Sequence, residues 1–96
     1  MSFHIYILRC ADGTYYIGST QDLAGREAAH NDGRGAKHTC SRRPVKLVYT
    51  ESLPTRSAAV RRERQPKRWS RAKKDALIAG DWDQLARLSR ARRSPS

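Results

Sequence analysis

Cysteine, methionine, phenylalanine and acidic residues are all scarce in this 96-residue chain: two Cys, one Met, one Phe, and nine Asp and Glu against twenty Lys and Arg. Each scarcity excludes something. Two cysteines, Cys10 and Cys40, are too few for a disulfide framework, and with His4 and His38 they match no zinc spacing such as paired C-x-x-C. The expectation is a pair of reduced thiols in a cytoplasmic protein. No charged segment followed by an apolar one opens the sequence as a secretory leader would. No apolar run nears the roughly 20 residues that a membrane helix needs. The shortage of acids leaves a net charge of +11. Such a surface favours a polyanionic partner, and nucleic acid is the commonest one. A membrane surface fits less well, because no helix pairs a strong apolar face with a basic one.

At 38% hydrophobic and 30% charged residues, the chain is expected to fold as one domain with a thin core. Residues 3–10 mix β-branched, aromatic and leucine side chains and read as a strand. Phe3, Ile5 and Ile7 line one face, and His4, Tyr6, Leu8 and Cys10 the other. Asp12-Gly13 marks a turn and 14–19 a second strand. The length of that turn decides where the tyrosines go. A two-residue turn pairs Arg9 with Tyr16 and sends Tyr6 and Tyr16 to opposite faces. A three-residue turn over Ala11-Asp12-Gly13, with Gly13 left-handed, pairs Cys10 with Thr14, Leu8 with Tyr16 and Tyr6 with Gly18. The second register is the one expected. It sets both tyrosines diagonally adjacent on one face, with open space at Gly18 opposite the Tyr6 ring.

Residues 20–32 read as a helix capped by Ser19, Thr20 or Asp22, with Ala24 and Ala28 allowing close packing. Leu23, Arg26, Glu27 and His30 share one face by their spacing. If Leu23 points to the sheet, Arg26 and His30 follow it, and a cation and an imidazole so placed need partners. Residues 31–43 form a polar, glycine-containing loop, a mobile cover over substrate in which Lys37, His38, Arg42 and Arg43 are candidate contacts. The loop lacks the contiguous Gly-Lys-Ser/Thr of a phosphate loop, so no nucleotide cofactor is expected.

Pro44 introduces a third strand over 45–50, with Val45, Leu47 and Tyr49 alternating against Lys46, Val48 and Thr50. Pro54-Thr55 opens a helix to about Arg64. On it Glu63 shares the apolar side of Ala59 and Val60, and it is the only acid between Arg56 and Lys74. Arg61, Arg62 and Lys67 add basic candidates for substrate. Pro66 is expected to stop or kink this helix. Ser70 caps a further helix to Ala79, with Ala72, Ala76 and Leu77 inward and Gly80 ending it. Asp81 and Gln84 form a capping-box pattern for a last helix from Trp82 to about Arg90, burying Trp82, Leu85 and Leu88. Residues 91–96 are expected to be a frayed basic tail.

Two tyrosines on one sheet face, an Arg-x-x-x-His pair on the next helix and a lone acid on a later one form an ordered pattern. The pattern resembles the GIY-YIG nuclease domain, in particular the small stand-alone bacterial proteins of the UPF0213 type. The likeness is carried by Tyr6, Tyr16-Ile17-Gly18, Arg26-x-x-x-His30 and Glu63. It extends through Gly35-Ala36-Lys37, Arg43-Pro44-Val45-Lys46-Leu47-Val48-Tyr49 and Trp69-Ser70-Arg71-Ala72-Lys73-Lys74, and so covers residues 3–80. His4 stands where the family's first motif usually has glycine, and Gly25 where an arginine is usual.

The resemblance implies an α+β fold, a three-stranded antiparallel sheet flanked by helices. Residues 1–80 would form the nuclease-like domain and 81–90 a helix packed on it. It implies divalent-metal-dependent cleavage of phosphodiester bonds, with Tyr6 activating the attacking water and Tyr16 orienting or deprotonating it. Arg26 would bind the scissile phosphate, His30 would be hydrogen-bonded into this network, Glu63 would carry the metal, and Gly18 would lie against substrate. A lone carboxylate argues for one hydrated Mg²⁺ or Mn²⁺. A free tyrosine titrates at about 10, and a neighbouring arginine and a metal are expected to bring Tyr6 down into range. The expected partner is DNA, single-stranded or branched, bound by a cytoplasmic monomer with a role in repair, recombination or processing. The alternatives are a basic nucleic-acid-binding protein with feeble or no catalysis, and an RNA-directed role.

Overall fold

The computed structural model describes residues 2–92, with side chains as far as residue 89. Strands β1 (Phe3–Arg9), β2 (Tyr15–Thr20) and β3 (Lys46–Leu53) form one antiparallel sheet in the order β2-β1-β3. The helices are α1 (Leu23–Asn31), α2 (Lys37–Cys40), α3 (Arg56–Lys67), α4 (Arg71–Ala79) and α5 (Trp82–Arg92). This is the expected α+β architecture. The chain divides into two compact units, Met1–Arg64 and Gln65–Ser96, and the first holds the whole sheet. No helix among the described residues is long and apolar enough to cross a membrane.

The hairpin takes the three-residue turn. Cys10 donates to the Thr14 carbonyl at 2.8 Å, Gly13 donates to the Cys10 carbonyl at 2.9 Å, and Gly13 has φ +85°. A side chain at that position would be strained, which is why glycine occupies it. Tyr6 therefore pairs with Gly18 and Leu8 with Tyr16. As the central strand, β1 is covered on both faces: Ile5, Ile7, Tyr6 and Leu8 are each no more than 3% exposed. Tyr6, Leu8, Cys10 and Val45 form a buried cluster against which Tyr16, Leu23 and Leu47 pack.

The third strand departs from even alternation. Leu47 pairs with Leu8 but Tyr49 pairs with Ile7, so Val48 is the extra residue of a β-bulge. The bulge flips the phase. Val45 and Leu47 join the Tyr6 cluster, whereas Tyr49 goes to the Ile7 face and donates its hydroxyl to Glu51 at 2.8 Å. Glu51 in turn pairs with Arg62 at 3.0 Å. Simple alternation put Val45, Leu47 and Tyr49 on one face; an inserted residue is invisible to a period of two.

Asp22 is the cap of α1, its carboxylate accepting the Gly25 N–H at 3.0 Å. Glu27 on the same helix accepts the Leu47 N–H at 2.7 Å and ties α1 to β3. Ala24 and Ala28, expected to allow close packing, are exposed. Pro66 neither stops α3 at once nor breaks it, for the helix runs one residue further to Lys67. A proline in the last turn removes one N–H bond where the helix is already ending.

In the second unit Ser70 caps α4 and left-handed Gly80, φ +71°, ends it. Ala76 and Leu77 are buried as expected, but Ala72 is exposed and Lys73 is buried in its stead. Lysine's stem is apolar, and its ammonium sits 4.7 Å from the centroid of the Trp69 ring. Asp81 accepts the Gln84 N–H at 3.1 Å and so caps α5. Leu85 and Leu88 are half-buried, whereas Trp82 is 60% exposed. Periodicity places a residue on a face, but that face becomes interior only where another element covers it, and Trp82 is the first residue of its helix. Of the tail expected over 91–96, α5 includes the residues to Arg92, and 93–96 lie outside the described residues.

Candidate active site

The hairpin register brings the Tyr6 and Tyr16 rings to 6.4 Å between centroids. Tyr6 leans across the ladder onto Gly18. A Cβ there would meet the phenolic oxygen and lie 2.6 Å from ring atom Cζ. The space opposite Tyr6 is therefore filled by its own ring rather than left open, because the strand pair closes directly over it.

The helical phase of α1 delivers His30 to the same place. His30 is 1% exposed, with its ring edge-on to Tyr6 at 6.1 Å and 5.1 Å from Tyr16. Its Nε2 lies 3.2 Å from the Tyr6 hydroxyl and its Nδ1 lies 2.6 Å from Thr39 Oγ1. The Thr39 hydroxyl donates to the Ala36 carbonyl at 2.9 Å. Gly35 lets the backbone pass flat against the imidazole, since a Cβ on it would meet Nδ1 and lie 2.6 Å from Cγ.

Segment 31–43, expected as a mobile polar loop, instead contains α2 and braces both rings from one side. His38 stacks on Tyr16 at 6.0 Å and 28°, and its Nε2 lies 3.2 Å from Thr14 Oγ1. Thr14 in turn donates to Asp12 at 2.6 Å. A four-residue helix is too short to show periodicity, so the sequence reads as loop. Thr39 passed unnoticed for the same reason. The one signal available was that a buried imidazole at 30 needs a partner for each nitrogen.

Arg26 lies on the exposed rim of α1. It lines a cavity of about 460 Å³ with Phe3, Asp22, Arg56 and Val60, where the Arg56 guanidinium sits 5.9 Å from the centroid of Phe3. Burial pushes the Tyr6 phenol up to about 12, Tyr16 and the negative charge of Glu63 push the same way, and Arg26 offsets them only in part. The arginine pulls in the expected direction, but desolvation of the phenolate outweighs this one rim cation, which does not by itself bring the phenol into range. Burial, helped by Arg26, holds His30 below the usual histidine value. At neutral pH a protonated phenol therefore faces a neutral imidazole.

Glu63 is half-buried on α3, close enough for its charge to act on Tyr6. It is not the one inward acid: Glu27 and Glu51 are half-buried too, but the first holds the Leu47 N–H and the second holds Arg62 and Tyr49. No group of three or more His, Cys, Asp or Glu that could cage a metal occurs among the described residues. A single carboxylate suits Mg²⁺ or Mn²⁺, which keep most of their water and lean on substrate phosphate.

The basic candidates separate into two kinds. Lys37 and Arg61 are exposed. Arg42 donates to Asp12 and to the His38 carbonyl, each at 2.8 Å, and Arg43 donates to the Cys40 carbonyl at 2.8 Å. Arg62 pairs with Glu51, so these three arginines already have partners within the protein. Lys67 falls within the Gln65–Ser96 unit.

Residues 2–75 match the family described as the GIY-YIG catalytic domain. A UPF0213 protein of Halobacterium salinarum is 53% identical over 75 residues, covering 78% of this chain and 97% of that one. A UPF0213 protein of Bacillus pumilus is 48% identical over 75 residues, covering 78% and 76%. The solution structure of a UPF0213 protein from Bacillus halodurans aligns with TM-score 0.54 at 39% identity, over 93% of this chain and 98% of that one. A second solution structure, of a protein from E. faecalis, aligns with TM-score 0.59 at 38% identity, over 83% and 85%. The tyrosine pair and its buried histidine thus sit in a chain that belongs to the GIY-YIG family of nuclease domains, among relatives that carry the name UPF0213.

Proposed function

We propose that the chain is a divalent-metal-dependent endonuclease that hydrolyses phosphodiester bonds in DNA, choosing single-stranded or branched structures rather than base sequence. The observation that carries this reading is the 3.2 Å contact between the Tyr6 hydroxyl and His30 Nε2, inside a nuclease-family fold. A phenol held up at about 12 cannot rest as phenolate at neutral pH, so it needs an acceptor for its own proton.

In the proposed reaction Tyr6 takes a proton from the attacking water while its hydroxyl proton passes to His30 Nε2. The water oxygen bonds to phosphorus, the bond to the departing sugar oxygen breaks, and that oxygen is protonated from solvent. His30 then returns its proton to solvent. Arg26, on the exposed rim, grips the phosphate and stabilises the charge that builds on its oxygens. Tyr16 orients the water, and Lys37 and Arg61 hold the flanking backbone. Glu63 is the residue that would hold one hydrated Mg²⁺ or Mn²⁺. Such an ion would supply Lewis-acid stabilisation to the phosphoryl oxygens and would offset the Glu63 charge that raises Tyr6.

Labelled single-stranded, duplex and branched DNA incubated with the protein in Mg²⁺, Mn²⁺ or EDTA tests the reading, beside Tyr6→Phe and Glu63→Ala. Metal-dependent cutting lost in both variants supports it. Salt-sensitive binding without cutting on every substrate overturns it in favour of a non-catalytic binder.

A further inference from the structure

We infer that Thr39 is a positioning residue that fixes the tautomer of His30, holding the proton on Nδ1 so that Nε2 is left bare to face the Tyr6 hydroxyl. The far end of the hydrogen-bond chain is the Ala36 carbonyl. A carbonyl oxygen only accepts, so its 2.9 Å contact with Thr39 Oγ1 is attractive only if the single Thr39 proton points at it. With that proton committed, Oγ1 meets His30 Nδ1 at 2.6 Å through a lone pair. Two lone pairs at that distance repel, so Nδ1 must carry a hydrogen. A neutral imidazole has one N–H, and Nε2 is then the acceptor at 3.2 Å from the Tyr6 oxygen. The order of donation is Tyr6 to His30, His30 to Thr39, and Thr39 to Ala36.

The surroundings leave the ring no second pose. His30 is nearly wholly buried, Gly35 admits the backbone against Nδ1 and Cγ, and Tyr16 lies 5.1 Å away on the other ring contact. Flipping the imidazole would leave Thr39 Oγ1 facing carbon. A free histidine side chain in water prefers the opposite tautomer, with the hydrogen on Nε2, and that form could not take the Tyr6 proton. Thr39 thus selects the useful form without touching substrate. Threonine suits this better than serine alone would suggest, because its β-branch restricts χ1 within α2.

The inference gives the proposed proton transfer its direction and so deepens that reading, but it is tested without substrate. In ¹⁵N-labelled protein at pH 8, long-range ring correlations of His30 are expected to show a bare Nε2 and a protonated Nδ1. Thr39→Val keeps the shape and removes the acceptor, and it should move His30 toward the Nε2-protonated form. Thr39→Ser should restore the original signature. If the chain cuts DNA, the valine variant should lose on the order of 100-fold in rate at unchanged KM, with serine within a few-fold of the parent. A protonated Nε2 in the parent protein, or an unchanged tautomer in a folded Thr39→Val, overturns the inference. Should Thr39→Val fail to fold, the parent spectrum decides alone. A chain with the expected tautomer that cuts nothing would sink the nuclease reading and leave this one standing.

Discussion

Gly18 stands directly across the β1–β2 ladder from Tyr6, and the tyrosine ring occupies the volume where a side chain at 18 would be. A side chain at 18 can therefore enter only if the Tyr6 ring moves. Gly18→Ala is expected to push the Tyr6 hydroxyl off His30, lowering cleavage at least ten-fold and stability by about 1–3 kcal/mol, the usual cost of overpacking. Urea melts and single-turnover rates on the same preparation measure both. An alanine variant with full rate would mean that the ring is not held as described.

Tyr6→Phe keeps the ring and deletes the oxygen. Cleavage should fall on the order of 10²–10⁴-fold, the range for loss of a general acid–base group. Stability should change by only about 1 kcal/mol, because one hydrogen bond to His30 is lost. A large rate loss with a small stability loss would separate chemistry from folding. Equal, large losses would assign the hydroxyl a structural role only.

Stability should depend on pH through His30. Its usual value is about 6.5, and burial with Arg26 holds the folded value lower. Below about 6.5 the unfolded chain binds a proton that the folded one refuses, so stability falls with pH from there until the folded imidazole itself titrates. Tyr6 works at the other end. Its folded value of about 12 exceeds the free value of about 10, so stability is lost as pH rises through that interval. Urea midpoints from pH 5 to 8 should rise in the parent and be flatter in His30→Gln; parallel curves would assign the slope to other groups.

Glu63→Gln preserves size and removes the charge. Metal-stimulated cleavage should disappear while salt-dependent DNA binding survives, because the exposed cations of Lys37 and Arg61 are untouched. EDTA treatment of the parent should mimic the variant. Calorimetric titration with Mn²⁺ in the presence of a non-cleavable DNA gives the direct reading, and equal binding by parent and variant would remove Glu63 from the metal role.

Much of the hairpin was legible beforehand because a local rule sufficed. Asp12-Gly13 admitted two turn lengths, and only one placed both phenols on the same face. The helix phase that brought His30 inward was equally local. What escaped notice depended on one extra residue or on a distant neighbour. Val48 flips β3 by being inserted, α2 is too short to announce itself, and Trp82 lies on an apolar face at the first residue of its helix. Thr39 was missed because its importance comes from a partner nine positions earlier. The pull of Arg26 on Tyr6 was legible, but the burial that outweighs it was not, because a sequence displays nearby charges but not the depth at which they sit.

The two nitrogens of His30 are satisfied by residues 24 positions before it and nine positions after it. The site is therefore a coincidence of three stretches of chain, each useless alone. A partly made or partly unfolded molecule has the residues of the proposed nuclease but not the nuclease. Activity of the proposed kind therefore waits on completion of the fold.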